Sequence, residues 1–358
     1  MKNILKVIII SLFFCVSIYS VSFSADKAEN LYPINDESGG GYINKDGDIV
    51  LKQKYNFAGR FVGDYAIVQN KNLKYGIIDK QGNLIVKFDY EELNNLSENF
   101  VFYKENNKYG YIDIINNKKS KTRYDDIKIF KEGLAAVCID EKWGFIDKDG
   151  KPVIEPKYYY VSNFSEGLAA ISYSKHKTAG YIDKKGNVVI SFKDNNLEPK
   201  EFKEGLVPVI KGKDEACSYI DKKGKVVIDK KKIFPIQSFC SGFSEGLAVI
   251  YIYNESNEII TGYMDKKGNL KYVISFLLPT DLLREEIGVF DNFSSDMARF
   301  TIDYKTGYIN KNFELVIPPV YEFARDFEGD LAYVKHEEIE GYINKKGHWV
   351  WSKPREGM

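Results

Sequence analysis

The segment that decides the fold is Lys142–Ala170, KWGFIDKDGKPVIEPKYYYVSNFSEGLAA, because it contains two short strings that return along the chain. The second string, Phe-x-Glu-Gly-Leu-Ala, is complete at Phe130–Ala135, Phe164–Ala169 and Phe243–Ala248. A common register over most of the chain predicts tandem repeats. The first string, Gly-aromatic-Ile-Asp/Asn with small variations, starts nine times, at Gly41, Gly76, Gly110, Gly144, Gly180, Ser218, Gly262, Gly307 and Gly341.

The first string predicts a β-hairpin. In Gly180–Ile190, GYIDKKGNVVI, the carboxylate of Asp183 can cap a turn, and Gly186 accepts a left-handed backbone without a Cβ clash. The flanking apolar residues form the two strands, joined by a type I turn with a G1 bulge. The turn carboxylates, which lack the other ligands of a calcium loop, recur at Asp79, Asp147, Asp183, Asp221 and Asp265.

The second string opens a third strand, in which Ala135 and Val137 share one face by the period of two. Its glutamate could suggest a pair of carboxylates for glycoside hydrolysis. Catalysis needs one asymmetric pair with different environments, whereas this residue is repeated. We therefore expect a turn or strand-entry role for Glu132, Glu166, Glu204 and Glu245.

A unit of three short strands cannot cover its own apolar face, so neighbouring units must stack on it. The sequence predicts an all-β array of tandem three-stranded β-meanders, stacked as an open curved solenoid, with a closed propeller-like ring as the alternative. The open form is favoured because the intervals after Ser218 and Gly262 are 44 and 45 residues, whereas a ring prefers equal units. The polar Leu31–Gly40 and the residues Trp349 and Trp351 are expected to cap the two ends.

The N-terminus has the pattern of a secretory leader. Lys2 and Lys6 precede the apolar run Val7–Val21, and Ser22-Phe23-Ser24 predicts cleavage before Ala25. The protein is therefore expected to be secreted or associated with the cell envelope. The predicted organisation is a signal peptide at 1–24, a linker or cap at 25–40, the repeats at 41–351 and a tail at 352–358.

Composition excludes several classes of protein. Lys and Arg number 51, as do Asp and Glu, so the chain lacks the positive charge of a nucleic-acid binder. A mean hydropathy of −0.34 argues against a polytopic membrane protein, and no membrane contact is expected after leader cleavage. The 52 aromatic residues favour strands.

The sequence shows no catalytic or metal-binding pattern. His176, His336 and His348 share no ligand spacing, and no nucleophile triad or phosphate loop is present. We expect no enzymatic activity, cofactor or metal. After leader removal three cysteines remain, so at most one intramolecular disulfide can form, and pairing of Cys217 with Cys240 stays open.

The segment Lys142–Asp147, KWGFID, together with Phe164–Ala169, FSEGLA, resembles the WG-repeat (KWG-repeat) family of bacterial proteins over about residues 41–351. The resemblance implies β-rich tandem repeats in surface or exported proteins and no common reaction. This chain departs from the signature because the Trp occurs only at Trp143. The other copies have Tyr75, Tyr109, Ala179, Cys217, Thr261, Thr306 and Glu340.

Two sets of residues are candidates for ligand contact. The recurrent aromatics either form an outward ladder that stacks sugar rings or seal the seams between sheets, and we favour the seams. They include Tyr111, Phe145, Tyr181, Tyr219, Tyr263 and Tyr308. The second set is an insert at Ser275–Val289, expected to hold a short helix and either to bind a partner or to have no function. Its apolar residues include Phe276, Leu277, Leu278, Leu282 and Leu283.

These observations together predict an exported, non-enzymatic repeat protein that mediates macromolecular interaction over an extended surface. The partner is an unknown protein or a cell-envelope polymer, not nucleic acid. A carbohydrate- or cell-wall-binding module is the alternative, and a hydrolase with an unrecognised site is a third hypothesis.

Overall fold

A computed structural model of the 358-residue chain describes residues 30–174, 177–192, 200–210, 217–229, 238–253, 258–277 and 289–355. These residues form 34 β-strands and no helix. In this part of the chain, therefore, no helix could cross a membrane. The predicted leader and the predicted helix of the insert lie outside the described residues.

The strands form nine antiparallel sheets, each built from strands consecutive in the chain. Blade 1 contains β1 (Tyr32–Asp36), β2 (Gly39–Ile43) and β3 (Ile49–Tyr55); blade 2 contains β4 (Phe57–Val62), β5 (Tyr65–Gln69), β6 (Tyr75–Asp79) and β7 (Leu84–Tyr90). Blade 3 contains β8 (Leu93–Ser97), β9 (Phe100–Glu105), β10 (Lys108–Asp113) and β11 (Lys118–Lys119); blade 4 contains β12 (Asp126–Ile127), β13 (Leu134–Ile139), β14 (Lys142–Asp147) and β15 (Pro152–Tyr158).

The later blades repeat this order. Blade 5 contains β16 (Tyr160–Val161), β17 (Leu168–Ser174), β18 (Lys177–Asp183) and β19 (Val188–Ser191); blade 6 contains β20 (Leu206–Ile210), β21 (Cys217–Asp221) and β22 (Val226–Ile228). Blade 7 contains β23 (Ser238–Cys240), β24 (Leu247–Tyr253), β25 (Glu258–Asp265) and β26 (Leu270–Leu277). Blade 8 contains β27 (Val289–Phe290), β28 (Met297–Ile302), β29 (Lys305–Asn310) and β30 (Leu315–Tyr321); blade 9 contains β31 (Phe323–Ala324), β32 (Leu331–His336), β33 (Ile339–Asn344) and β34 (Trp349–Pro354).

Most blades have one strand more than the sequence predicts. Seven of the nine sheets have four strands among the described residues, and blades 1 and 6 have three. The additional strand is the first of each four-stranded blade and is often only two residues long, as at Asp126–Ile127. Two residues carry no periodicity, so this strand has no signature of its own.

The predicted hairpins are confirmed. Asp147 Oδ1 accepts the backbone N–H groups of Asp149 at 3.0 Å and Lys151 at 2.9 Å. Gly150 follows with φ +78°, a conformation that costs glycine little. The register shifts between Phe145 and Ile146, which is the expected bulge. The same turn joins the last two strands of the other regular blades.

The apolar cores lie between blades rather than within them. There are nine buried clusters in the described residues, and each joins two neighbouring blades. Phe145 and Ile154 of blade 4, for example, pack with Phe164 and Ile171 of blade 5. This arrangement explains why one unit could not fold alone, since its apolar faces are covered only by the neighbours.

The predicted open solenoid is wrong, because the first and last blades contact each other. Tyr32, Ile34 and Ile43 of blade 1 form one buried cluster with Leu331 and Tyr342 of blade 9. The chain is therefore a nine-bladed β-propeller, as in the closed-ring alternative. The prediction gave too much weight to the unequal intervals between repeats. Extra residues can lengthen a strand or a connection without changing the buried residues through which neighbouring blades pack, and ring closure depends on those buried residues.

Closure also corrects the predicted ends. Residues 25–40 are predicted as a linker or cap, but Tyr32–Asp36 is β1 and pairs with β2 inside blade 1. Trp351 packs against the cluster shared by blades 9 and 1 instead of capping an open stack. The predicted N-terminal cap and Trp351 thus lie on the two sides of one seam, whereas the ring of Trp349 lies 6.4 Å from that of Tyr321 in blade 8.

The first strand of each blade lies nearest the ring axis. Lys131 of blade 4 forms a 2.9 Å ion pair with Glu201, just before blade 6, and so bypasses blade 5. Non-neighbouring blades can meet in this way only near the axis. The fourth strands carry exposed apolar residues, such as Val188 and Leu315, and form the outer rim.

Candidate functional site

The recurrent aromatic rings lie in the seams between blades. Several of the tyrosine hydroxyls donate to backbone carbonyls across a seam, as Tyr219 does to Ser241 at 2.7 Å and Tyr308 to Arg325 at 2.7 Å. Burial raises the pKa of Tyr111 to about 12. A ladder that stacks sugars needs open ring faces, which these rings lack. All six are at most 5% exposed: Tyr111, Phe145, Tyr181, Tyr219, Tyr263 and Tyr308.

The repeated glutamate lies in the tight turn between the first two strands of its blade. Glu132 has φ +55° and Gly133 has φ +84°, with Lys131 and Leu134 bridging below them. Both positive angles are typical of a type I′ turn. The turn role is therefore confirmed, although glutamate is an unusual residue for such a backbone.

The glutamate is explained by its contacts with the next blade, which we call carboxylate bridges. Glu132 accepts the backbone N–H of Gly167 at 3.0 Å and pairs with Lys184 Nζ at 3.1 Å, both from blade 5. Neither glycine nor asparagine would reach these groups. The same carboxylate–amide contact joins successive blades at Glu98, Glu132, Glu166, Glu204 and Glu245.

The electrostatics of the carboxylate bridges favour structure over catalysis. Partial burial raises the pKa of Glu132, but the hydrogen bonds from Lys184 and Gly167 outweigh it and leave the pKa below its ordinary value. The pKa of Glu204 is lowered by the same balance, with Lys266 as the cation. A general acid needs a raised pKa, so these residues are not suited to that role.

The predicted insert is only partly described. Phe276 and Leu277 belong to β26, the outer strand of blade 7. Leu278, Leu282 and Leu283 lie outside the described residues, as does the predicted helix. The interaction role of this insert stays a prediction.

A disulfide joins Cys217 of β21 to Cys240 of β23, with Cα atoms 6.1 Å apart. It links blade 6 to blade 7, and Cys217 occupies the motif position that Trp143 has in blade 4. The pairing that the sequence left open is thus present in the structure. Cys138 is a buried free thiol whose pKa is raised by burial.

A depression of the surface lies where the ring closes. We call it the seam groove, a cavity of about 690 Å³ between blade 9 and the first strands of blades 1 and 2. Phe57 and Arg60 of β4 and Asn35 of β1 form one wall. The other wall is one face of blade 9. Its lining residues there are Phe323, Arg325, Tyr333, Lys335, Glu340, Tyr342, Trp351, Lys353 and Arg355.

A charged row crosses blade 9 in the seam groove. Phe323, Lys335, Glu340 and Lys353 are direct cross-strand neighbours on four successive strands. Glu340 is only 7% exposed and pairs with Lys335 Nζ at 2.8 Å and Lys353 Nζ at 3.4 Å. Burial raises the pKa of Glu340, but hydrogen bonds from Lys335 and Tyr333 outweigh it and lower the pKa overall. The row is therefore an ionised cluster in which two lysines surround one buried carboxylate.

An aromatic row runs beside the charged row. Tyr333, Tyr342 and Trp351 are cross-strand neighbours, with ring centroids 5.4 Å and 6.4 Å apart. At its inner end Arg325 lies over the rings of Tyr333 at 5.6 Å and Phe323 at 5.9 Å. Cations and aromatic faces thus line the same groove.

The cations of the groove exceed its carboxylates. Arg60 pairs with Glu328, and the guanidinium of Arg355 donates to the carbonyl of Glu337 at 3.1 Å. Arg325 has no carboxylate within ion-pair distance among the described residues. Among the described residues, the lining contains five cationic side chains and one carboxylate, in a chain whose formal net charge is zero.

The charged row is where blade 9 departs from the repeat. In blade 4 the corresponding cross-strand positions are Asp126, Cys138, Trp143 and Tyr158. The last position is a tyrosine in blades 1, 2, 3, 4 and 8, whereas blade 9 has Lys353. The sequence signal was the replacement of the motif Trp by Glu340, which our sequence analysis noted only as a departure from the family signature.

The repeats match a known protein family. The family model described as "WG containing repeat" matches residues 41–73, 75–109, 109–143, 143–173, 180–213 and 307–338, together more than half of the chain. No curated protein matches the sequence. The nine blades include repeats that the family model does not match, such as blade 7.

One of the similar solved structures shares the overall fold. A crystal structure of a eukaryotic initiation factor superposes with a TM-score of 0.60 at 10% identity, covering 91% of this chain and 96% of that chain. The dihydro-heme d1 dehydrogenase NirN in complex with DHE gives 0.46 at 12% identity, covering 83% and 75%. The WD40 domain of Toxoplasma gondii coronin gives 0.33 at 13%, covering 59% and 64%. The similarity to the initiation factor concerns the fold alone.

Proposed function

We propose a function from the premise that this chain belongs to the WG containing repeat family: it is an exported, non-enzymatic β-propeller that binds a partner protein, with the seam groove as its docking site. The observation that carries the proposal is the charged row of blade 9. Its residues break the repeat at a place that faces an open groove. Packing of the seam alone would not require three charged residues, Lys335, Glu340 and Lys353, in one row.

The repeated polar residues support a structural rather than catalytic scaffold. The turn aspartates cap hairpins, and the repeated glutamates form carboxylate bridges. In the part of the chain that the structure describes, the lining of the seam groove includes one carboxylate, Glu340, which two lysines hold ionised. This lining offers no pair of carboxylates for the hydrolase hypothesis. The carbohydrate-binding alternative depended on an exposed aromatic ladder, and those rings are buried.

Export is proposed from the leader pattern at 1–24. Expression with the full leader should yield a mature protein in the extracellular or envelope fraction whose N-terminal residue is Ala25. Intact-mass measurement and N-terminal sequencing would check this. A chain that keeps its leader and stays in the cytoplasm would contradict the export part of the proposal.

Partner binding is tested by affinity capture from the envelope fraction. The bait is the mature chain, compared with the double variant R325Q/R355Q. K223E, on an exposed hairpin residue of blade 6, serves as the matched charge control. We expect a protein retained by wild type and K223E, lost with R325Q/R355Q, and able to rebind after purification. Retention that is equal on all three baits, or retention of glycan alone, would refute docking in the groove.

A further inference from the structure

We infer that the seam groove binds an acidic, extended peptide segment of the partner in which acidic and apolar side chains alternate. This inference rests on the proposed function and names the chemical class of the partner. It comes from the two parallel rows on blade 9, one carrying Lys335 and Lys353 and the other Tyr333 and Trp351.

The dimensions of the rows fit a short extended chain. Neighbouring strands are about 4.8 Å apart, so a row that crosses four strands spans about 14 Å. An extended peptide rises about 3.3 Å per residue, so four or five residues cover this distance. Lys335 and Tyr333 are two residues apart on β32, which places the rows about 7 Å apart.

A chain that lies between the rows presents alternate side chains to each of them. In an extended peptide successive side chains point in opposite directions. Acidic residues at every second position would reach Lys335, Lys353 and the outer Arg355, while the intervening residues would contact the rings of Tyr333 and Trp351. Arg325 lies at the inner end, where its planar guanidinium can donate two parallel hydrogen bonds to a carboxylate.

The lining favours a peptide over other polyanions. A polyphosphate chain would match the cations but would gain nothing from the aromatic row or from Phe57 and Phe323, which are 45% and 42% exposed. A nucleic acid would need a more extended positive surface than this groove in a chain of zero net charge. Only a polymer with both anionic and apolar side chains uses both rows.

The test measures peptide binding to the mature chain by fluorescence anisotropy. The probe is a labelled hexapeptide that alternates Asp with Phe and Leu. The first control has the same composition with the three Asp residues grouped together, and the second has Lys in place of Asp. We expect the alternating peptide to bind at least tenfold more tightly than either control. The variant R325Q/R355Q should weaken it at least tenfold, whereas K223E should leave it unchanged.

Each contrary outcome is informative. Equal binding of the grouped and alternating peptides would refute the inference that the peptide contacts both rows in alternation. If polyphosphate displaces the alternating peptide as well as the unlabelled peptide does, or better, binding would be explained by charge attraction alone. If no peptide binds but a partner is still captured in a groove-dependent manner, this inference falls while the proposed function stands. If capture is also insensitive to R325Q/R355Q, the proposed docking site falls with it.

Discussion

Removal of one carboxylate bridge should destabilise the propeller by a measurable amount. Glu132 is the best site, because its carboxylate contacts both the Gly167 N–H and Lys184 of the next blade. Loss of a hydrogen bond to a charged group costs about 1.5–3 kcal/mol. The ion pair with Lys184 is partly exposed and adds about 0.2–1 kcal/mol. We expect E132A to lower the free energy of unfolding by about 2–4 kcal/mol.

Two further variants separate the bridge from the turn. Glu132 has φ +55°, which a non-glycine residue adopts at a cost of about 1 kcal/mol. E132G removes this strain and should therefore be about 1 kcal/mol more stable than E132A. E132Q keeps an oxygen acceptor for Gly167 and loses only the charge, so it should be the mildest of the three variants.

The assay is urea unfolding followed by tryptophan fluorescence, together with hydrogen exchange at the Gly167 amide. Faster exchange at Gly167 in E132A, with little change at amides of distant blades, would locate the loss at the seam. A difference below about 0.5 kcal/mol between E132A and wild type would refute the bridge, since surface substitutions away from specific contacts fall in that range. Equal stability of E132A and E132G would refute the strain argument.

Acid should remove the stabilisation that the ionised carboxylate of Glu132 provides. The folded-state pKa of Glu132 is lowered, because hydrogen bonds from Lys184 and Gly167 outweigh the effect of burial. Such a group stabilises the fold above its unfolded pKa of about 4.3, and this stability is lost as the pH falls through the folded pKa. The difference between wild type and E132Q should shrink below about pH 4. A difference that stays constant down to pH 2 would contradict the assignment.

Three other predictions follow from the seams. Replacement of Cys217 and Cys240 by serine should cost about 3 kcal/mol by loop-closure entropy for a separation of 23 residues, and a reductant should lower the urea midpoint of wild type only. Y342F removes the 2.9 Å hydrogen bond to Pro33 across the closing seam and should cost about 1 kcal/mol, measured in the same assay. G186A forces φ +85° on a residue with a Cβ and should cost about 1–2 kcal/mol, whereas a neutral result would contradict the bulge.

Much of the local structure could be predicted from the sequence. The hairpin at Asp183 and Gly186, the turn at Glu132 and the number of repeats all depend on short-range rules, and the structure has them. Ring closure could not be predicted in this way. It depends on a small angle between neighbouring blades summed around the ring, and on Tyr32 meeting Tyr342 across 310 residues.

The candidate site was missed for a related reason. Repeat analysis weights what recurs, and the recurrent aromatics proved to be packing residues. The groove is made by residues that do not recur, such as Glu340 and Lys353, which become neighbours of β4 only when the ring closes. The sequence signal for the groove was a charged residue, Glu340, at a motif position that is occupied by Trp143 in blade 4.

One feature of the sheets bears on how such a ring arises. Among the described residues every blade is built from one continuous stretch of chain, and no strand from one end completes a sheet at the other. A gene duplication or deletion of one repeat would therefore insert or remove a whole wedge. Nine wedges share the circle at 40° each, and ten would need 36°, so each seam would absorb only a few degrees. The number of blades in this architecture can therefore change during evolution by whole repeats. The contacts between the first and last blades then have to adjust to the new number.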